Sequence, residues 1–367
     1  MHSPRRLAAL PIGNSPAVAT RLRRSDCSGP GITRRGRGRG FEYRDESGER
    51  IEDEDTIARI RELVIPPAWQ EVWICPHPGG HIQATGVDAR GRKQYLYHEK
   101  WRERRDREKF DDMLGFARAL PRMRERVNAD LALDDLSREH VLACAVRLLD
   151  RGFFRVGGEE YAAENESFGL ATMRKEHLRI DGRTITFDYP AKSGRRLVRS
   201  FVDQEICDVM LKLKRRRGGS PELLAYKRGR SWIDIRSEDV NEYLKEVTGR
   251  EFSAKDFRTW NATVLAATAL AVGGPMAGAS QTARKRVKTR AVKEVAHYLG
   301  NTPAVARSSY IDPRVFDRFD AGLTIGGALA GLVSGDDVGA PGVQSELEGP
   351  VLDLIAGAES GAIERVA

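Results

Sequence analysis

Five side chains suited to phosphate chemistry are spread through this chain: Arg155, Lys192, Arg258, Asn301 and Tyr310. Two arginines can fork onto a phosphate through paired N–H donors. A tyrosine hydroxyl can attack phosphorus and hold the phosphate covalently. A lysine on a turn can protonate a departing ribose oxygen. An asparagine amide can donate a hydrogen bond to a non-bridging oxygen, although it brings no charge. Together these are the parts of a phosphoryl transfer: charge stabilisation, a nucleophile and an acid for the leaving group. The sequence holds no P-loop, no H-E-x-x-H pair and no carboxylate metal cluster, so the chemistry it points to uses neither metal, ATP nor another cofactor. Arginine is abundant here, however, and a lone tyrosine beside a helix end is ordinarily a packing residue. Residue types alone leave both readings of Tyr310 open.

The elements that must position these groups are legible in outline. Ser137 is placed to cap a helix with an apolar stripe of Val141, Ala145, Leu148 and Leu149, running to about Asp150 and broken by Gly152. Arg155 follows in FFRVGGEEY, between a phenylalanine pair and a double glycine. A three-stranded meander is expected over residues 176–202, with Ile185, Phe187 and Tyr189 alternating on one face and Lys192 exposed in its second turn, PAKSG. Helices are expected at Asp203–Arg216 and Asp239–Thr248. Arg258 falls in the early turns of the Ala-rich helix SAKDFRTWNATVLAATALAV, capped by Ser253. The segment Gly273–Ser280 reads as flexible, and Ala283–Lys293 is basic and leads into a helix that ends at Gly300, just before Asn301. Tyr310 follows Asn301 by nine positions, with Arg307 between them.

Ahead of this lies a region of different character. From Phe41 to Trp101 the signals are mostly β: a hairpin around Glu46-Ser47-Gly48, one short helix near residues 54–63, then strands at Val72–Cys75, His81–Asp88 and Lys93–Tyr97. Its last turn and strand carry Arg90, Arg92 and Lys93 as candidate phosphate contacts, and Gln94 and Tyr95 able to touch bases. The expected domains are a disordered basic leader (1–28), a β-rich N-terminal domain (29–101) entered through a flexible basic arm at Arg34–Gly40, a charged helical connection (102–130) forming a solvated helix pair or linker, a catalytic domain (131–322), and a disordered acidic tail (323–367). The fold class is α+β: a small β-rich N-terminal domain plus a larger, mainly α-helical domain carrying the meander. The 367 residues and 40% apolar content allow two cores, and the net charge of +8 fits a polyanionic partner. Cys27, Cys75, Cys144 and Cys207 are scattered without a C-x-x-C pair, which argues against a zinc site or disulfide framework and suits a reducing cytoplasm. No apolar run approaches a membrane span.

Four stretches, FFRVGGEEYAAENESFGLATMRKEHL, YPAKSG, KDFRTWNAT and LGNTPAVARSSY, together resemble the catalytic domain of type IB DNA topoisomerases of the small poxvirus-like class found in bacteria. The stretch IPPAWQEVWICPHPGGHIQATGVDARGRKQYLYHEKW resembles the β-rich N-terminal domain of that class, so the resemblance runs in order over roughly residues 30–322. It implies Tyr310 as nucleophile, Lys192 as general acid, and Arg155, Arg258 and Asn301 as ligands of the non-bridging oxygens. Asn301 stands where viral and eukaryotic members carry histidine. The resemblance further implies a monomer that clamps double-stranded DNA in the cytoplasm, associated with the nucleoid. Lys255 is expected to contact DNA. Arg307 has no catalytic counterpart in the family pattern and is read as a DNA-backbone or structural contact. Two alternatives share many of these residues. A tyrosine recombinase has similar groups, but ordinarily shows H-x-x-R where this chain has KDFR, and an α-helical N-terminal domain. The other alternative is a catalytically silent DNA-binding relative.

Overall fold

The computed structural model describes residues 21–38, 40–278, 280–333 and 343–366. They form two compact units that divide between Lys109 and Phe110.

The first unit is built on a five-stranded antiparallel sheet of order β2-β1-β3-β4-β5. Its strands are β1 (Ile32–Arg37), β2 (Gly40–Arg44), β3 (Gln70–Ile74), β4 (Ile82–Val87) and β5 (Lys93–Tyr97), with helix α1 (Glu54–Glu62) between β2 and β3. Asp53 caps α1 by accepting from the Thr56 amide at 2.8 Å. Ile32, Ile60, Val72, Ile74 and Ala84 make a small core under the sheet. Two expectations change here. The basic arm is the strand β1, and the Arg34 guanidinium donates inward to the carbonyls of Ile65, Pro66 and Trp69 at 2.7–3.2 Å. Those carbonyls lie in the turn between α1 and β3, and the guanidinium gives each a donor. Of the leader, residues 1–20 lie outside the described residues. Residues 21–28 are not loose: Arg23 bridges Gly80 and the Ser25 hydroxyl donates to the Ile82 carbonyl at 2.9 Å.

Helix α2 (Glu99–Leu131) carries the chain across the unit boundary. The charged connection is therefore one helix rather than a solvated pair. From Phe110 onward Met113, Phe116, Leu120, Met123, Val127 and Leu131 recur at three- and four-residue spacing and are buried. Pro121 removes one helical hydrogen bond, which costs about 3 kcal/mol. Burial of each apolar side chain returns roughly 1.5–3 kcal/mol, so the helix continues through it.

The second unit continues with α3 (Arg138–Gly152), α4 (Glu159–Asn165), the meander β6 (Leu178–Asp181), β7 (Thr184–Ala191) and β8 (Arg195–Val202), then α5 (Gln204–Arg215), β9 (Ala225–Arg228), β10 (Ser231–Asp234), α6 (Ser237–Thr248), α7 (Ala254–Ala277), α8 (Gln281–Leu299), α9 (Pro303–Ser309), α10 (Pro313–Asp320), β11 (Leu323–Thr324), α11 (Gly326–Val333), α12 (Val343–Ala356) and β12 (Glu364–Arg365). The α+β reading stands. Helix α3 runs through the centre, with Val141–Val146 and Leu148–Leu149 buried. The meander pairs in the order β6-β7-β8 and buries Ile185, Phe187, Tyr189 and Ala191 against the helices. The β9–β10 hairpin escaped the sequence reading because each strand is only four residues long.

Two further expectations are corrected. The segment Gly273–Ser280 is mostly helical, since α7 runs to Ala277. A Cβ on Gly273 would lie 2.7 Å from Val287 Cγ1, so this glycine serves the close packing of α7 on α8 rather than flexibility. The acidic tail is ordered where it is described. Leu347, Val351, Leu354 and Ile355 form a helical stripe on α12 and are buried in the main core. Glu348 pairs with Arg124 of α2 at 2.7 Å, and the same guanidinium holds Asp150 of α3 at 2.8 Å. Burial opposes the charge on Arg124, but hydrogen bonds to Glu348 and Asp150 outweigh it and raise its pKa. The abundance of Gly, Ala and acidic residues hid this stripe. All four cysteines are free. Among the described residues no helix is long and apolar enough to cross a membrane.

Candidate active site

Arg155 is placed by a tight backbone crossing. Helix α3 ends on Phe153 in the left-handed region, φ 54°, which turns the chain sharply out of the helix. The next residues run beside Gly169–Ala171: the Leu170 amide donates to the Arg155 carbonyl at 2.8 Å and the Ala171 amide to the Val156 carbonyl at 2.7 Å. The contact depends on glycine, because a Cβ on Gly169 would lie 2.4 Å from Gly157 Cα.

Arg258 occupies the second turn of α7 and is only 4% exposed. Its guanidinium donates to the Phe153 carbonyl at 2.7 Å and to the Leu299 carbonyl at 2.9 Å, fastening the ends of α3 and α8 together. Both acceptors are carbonyls at helix C-termini, where the backbone carries partial negative charge. Burial, reinforced by repulsion from Arg155, still pushes its pKa down to about 10.

Asn301 follows a glycine-capped helix end. Gly300 is left-handed, φ 62°, and the amides of Gly300 and Asn301 return to the carbonyls of His297 and Ala296. That pattern closes α8 and turns Asn301 inward. Its Oδ1 accepts from the Arg155 guanidinium. Since arginine only donates, the amide is oriented with Nδ2 free, and that buried Nδ2 has no hydrogen-bond partner.

Tyr310 sits at the end of α9, its amide bonded to the Ala306 carbonyl at 3.1 Å. The next two residues are fully buried: Ile311 in the core and Asp312 as the cap of α10. Buried Thr263 of α7 donates to the Thr259 carbonyl and accepts from the Asp312 amide at 3.1 Å, which locks the backbone behind the phenol. The Arg258 guanidinium carbon lies 5.3 Å from the centre of the Tyr310 ring. Burial works to raise the pKa of the phenol. The charges of Arg258 and Arg155, a hydrogen bond from Arg258 and the charge of Lys255 outweigh it, and the net shift is downward. Tyr189, buried beneath the same arginines, shows the opposite balance: desolvation pushes it up to about 12.

Arg155, Lys192, Lys255, Arg258 and Tyr310 all line one cleft of about 270 Å³. Lys192 is exposed at the tip of the β7–β8 hairpin, its ammonium 5.4 Å from the ring centre of Tyr161 on α4. Tyr161, Thr263 and the Gly157–Gly169 crossing were missed in the sequence. The double glycine of FFRVGGEEY was the only signal of the crossing, and its partner lies in a separate loop. Arg307 does not join the cleft. It is exposed, stacks over Phe316 at 4.9 Å and faces α8. In the first unit Arg90 and Lys93 are exposed, whereas Asp88 holds Arg92 at 2.7 Å and Gln94 at 2.9 Å. Tyr95 stacks on Tyr97 with ring centres 6.2 Å apart.

A family model described as the catalytic core of eukaryotic DNA topoisomerase I matches residues 98–321, and one described as the N-terminal domain of bacterial DNA topoisomerase IB matches residues 40–88. The DNA topoisomerase 1B of Acanthamoeba polyphaga mimivirus is 32% identical over 283 residues, covering 73% of this chain and 81% of that protein. The chain belongs to the type IB DNA topoisomerases. More distant relatives are the DNA topoisomerase I of Monkeypox virus and the DNA topoisomerase 1B of Vaccinia virus (strain Copenhagen). Each is 23% identical over 240 residues, covering 64% of this chain and 71% of the relative. A type IB topoisomerase is an ATP-independent isomerase that works through a tyrosine–phosphodiester bond. The N-terminal match separates this topoisomerase from the tyrosine recombinases.

Proposed function

We propose that the cleft around Tyr310 is where this topoisomerase cuts and rejoins one strand of supercoiled duplex DNA. The Tyr310 oxygen attacks a backbone phosphorus in line, and its proton passes to solvent. The bond from phosphorus to the 5′-oxygen breaks, Lys192 gives that oxygen a proton, and a 3′-phosphotyrosyl link remains. Arg155, Arg258 and the Asn301 amide hold the non-bridging oxygens. The freed 5′ end rotates, torsion relaxes, and the 5′-hydroxyl attacks the phosphotyrosine to restore the strand and the phenol. The covalent link conserves the bond energy, so no ATP is consumed.

The observation that carries this reading is the convergence of two arginines and two lysines on one cleft with a tyrosine whose pKa Arg258, Arg155 and Lys255 lower. An ordinary phenol, with a pKa of about 10, is a poor nucleophile near neutrality. Guanidinium charge beside it favours the phenolate, and the same charge stabilises the transition state, by analogy with oxyanion donors about 3–4 kcal/mol for each contact. Lys255 adds a phosphate contact at the cleft, and Arg307 a backbone contact outside it. In the first unit, Arg90, Lys93 and Tyr95 supply a second duplex surface, joined by Arg92 and Gln94 once a phosphate displaces Asp88. On this reading the enzyme is a monomer that clamps duplex DNA and is associated with the nucleoid in the cytoplasm.

The test is relaxation of a negatively supercoiled plasmid without ATP and in EDTA, with capture of the covalent adduct on a denaturing gel. Wild type should relax the plasmid and form the adduct, and Tyr310→Phe should do neither. A Tyr310→Phe protein that still relaxed the plasmid would sink the assignment.

A further inference from the structure

A second basic cleft lies away from Tyr310. It is lined by Gly115, Arg118, Ala119 and Arg122 of α2 and by Val247, Thr248 and Arg250 at the end of α6, and encloses about 310 Å³. Three guanidinium groups face it, and no carboxylate lines it among the described residues. By contrast, Arg104, Arg105, Arg124 and Arg126 of the same helix each pair with a carboxylate. Arg118 and Arg122 stand one helical turn apart on the same face, where like charges repel. Arg250 brings a third positive charge from a different element. The neighbouring Glu251 could neutralise one of them, but it is paired with Lys245. Gly115 lies against Arg250, and a Cβ there would meet its guanidinium nitrogen only at van der Waals distance, 3.4 Å. A fold that gathers three forked donors around one open cavity without a counter-charge is complementary to a multiply charged oxyanion.

We infer that Arg118, Arg122 and Arg250 form a phosphate-binding site separate from the cleavage cleft. Its ligand chemistry is a phosphate oxyanion, which could be a free phosphate compound or the backbone of a DNA strand. The guanidinium forks bind the phosphate oxygens in parallel, and the small residues Gly115 and Ala119 give it room.

Site-resolved protection of arginines from phenylglyoxal, read by mass spectrometry on the full-length protein, tests this. Inorganic pyrophosphate and a short duplex serve as separate probes, with exposed Arg286 as the internal reference. If the site takes free oxyanions, pyrophosphate alone should slow modification of all three arginines by at least about threefold relative to Arg286, as expected of charge-assisted forked bonds. Protection by the duplex but not by pyrophosphate would assign the same site to strand phosphates. In the double variant Arg118→Gln/Arg122→Gln, with its fold checked by thermal melting, protection of Arg250 should vanish. No selective protection by either probe, or full protection of Arg250 in the double variant, would overturn the inference.

Discussion

At the scale of single residues, the site is governed by what each buried polar group can do with its neighbours. Arg258 cannot swing toward a phosphate freely, because two of its nitrogens are committed to the Phe153 and Leu299 carbonyls. Its guanidinium stands as a fixed positive charge beside the phenol, and in the proposed mechanism its unpartnered Nε is left to donate to a phosphate oxygen. The unpartnered Nδ2 of Asn301 is the opposite case, a buried donor with nothing to bond until an oxygen arrives. Asn301→Ala should slow single-turnover cleavage by about 10- to 100-fold, the roughly 1.5–3 kcal/mol of a hydrogen bond to a charged group. The lowered pKa of Tyr310 gives a second expectation. Phenolate forms as pH rises, so cleavage should climb through a pKa below that of free tyrosine. Removing one lowering charge with Arg155→Ala should move that limb to higher pH. Initial rates of adduct formation across neutral and alkaline pH would show this, and an unmoved limb would mean that another group titrates.

At the scale of elements, the site exists because four chain ends are brought together: α3, α8, α9 and the tip of the β7–β8 hairpin. Each end is set by local chemistry legible in the sequence. Gly152 precedes the left-handed Phe153 that ends α3, Gly300 stops α8 with the left-handed turn that L-residues resist, and Thr302 caps the start of the short α9, about two turns before Tyr310. What joins them is tertiary. The Gly157–Gly169 crossing holds the Arg155 strand at a distance no side chain would allow. Gly169→Ala must therefore push that strand aside. The expected cost is roughly 1–3 kcal/mol of stability, and about 100-fold in cleavage from misplacement of Arg155. Calorimetric melting and adduct kinetics would measure the two effects separately. A variant cleaving at the wild-type rate would show that the crossing does not position the arginine.

At the scale of the whole molecule, the segment beyond the matched family region belongs to the core of the second unit. Four buried apolar side chains of α12 and the Glu348–Arg124–Asp150 cluster tie it to α2 and α3. Removing residues 343–367 would expose that surface. At about 1.5–3 kcal/mol for each apolar side chain as an upper estimate, the melting temperature should fall by at least about 10 °C. Differential scanning calorimetry of the truncated chain decides it, and an unchanged melting temperature would restore the reading of a disordered tail.

The sequence by itself determined the parts. Periodicity marked most of the helices, alternation marked the meander, and the motifs around Arg155, Lys192, Arg258, Asn301 and Tyr310 carried the family resemblance. These are local properties, fixed by residues a few positions apart. The sequence could not decide relations between distant segments. Whether charged α2 is a linker or a core helix depends on what lies against Phe116 and Leu120. Whether the acidic tail is loose depends on Arg124, far upstream. Arg307 lies nearer Tyr310 in sequence than any of the cleft arginines, yet folding turns it to the other side of α9 and brings Arg155 and Arg258 to the phenol instead. Charge perturbs a pKa through distance in space, so only the tertiary structure decided which of many arginines lower that of Tyr310.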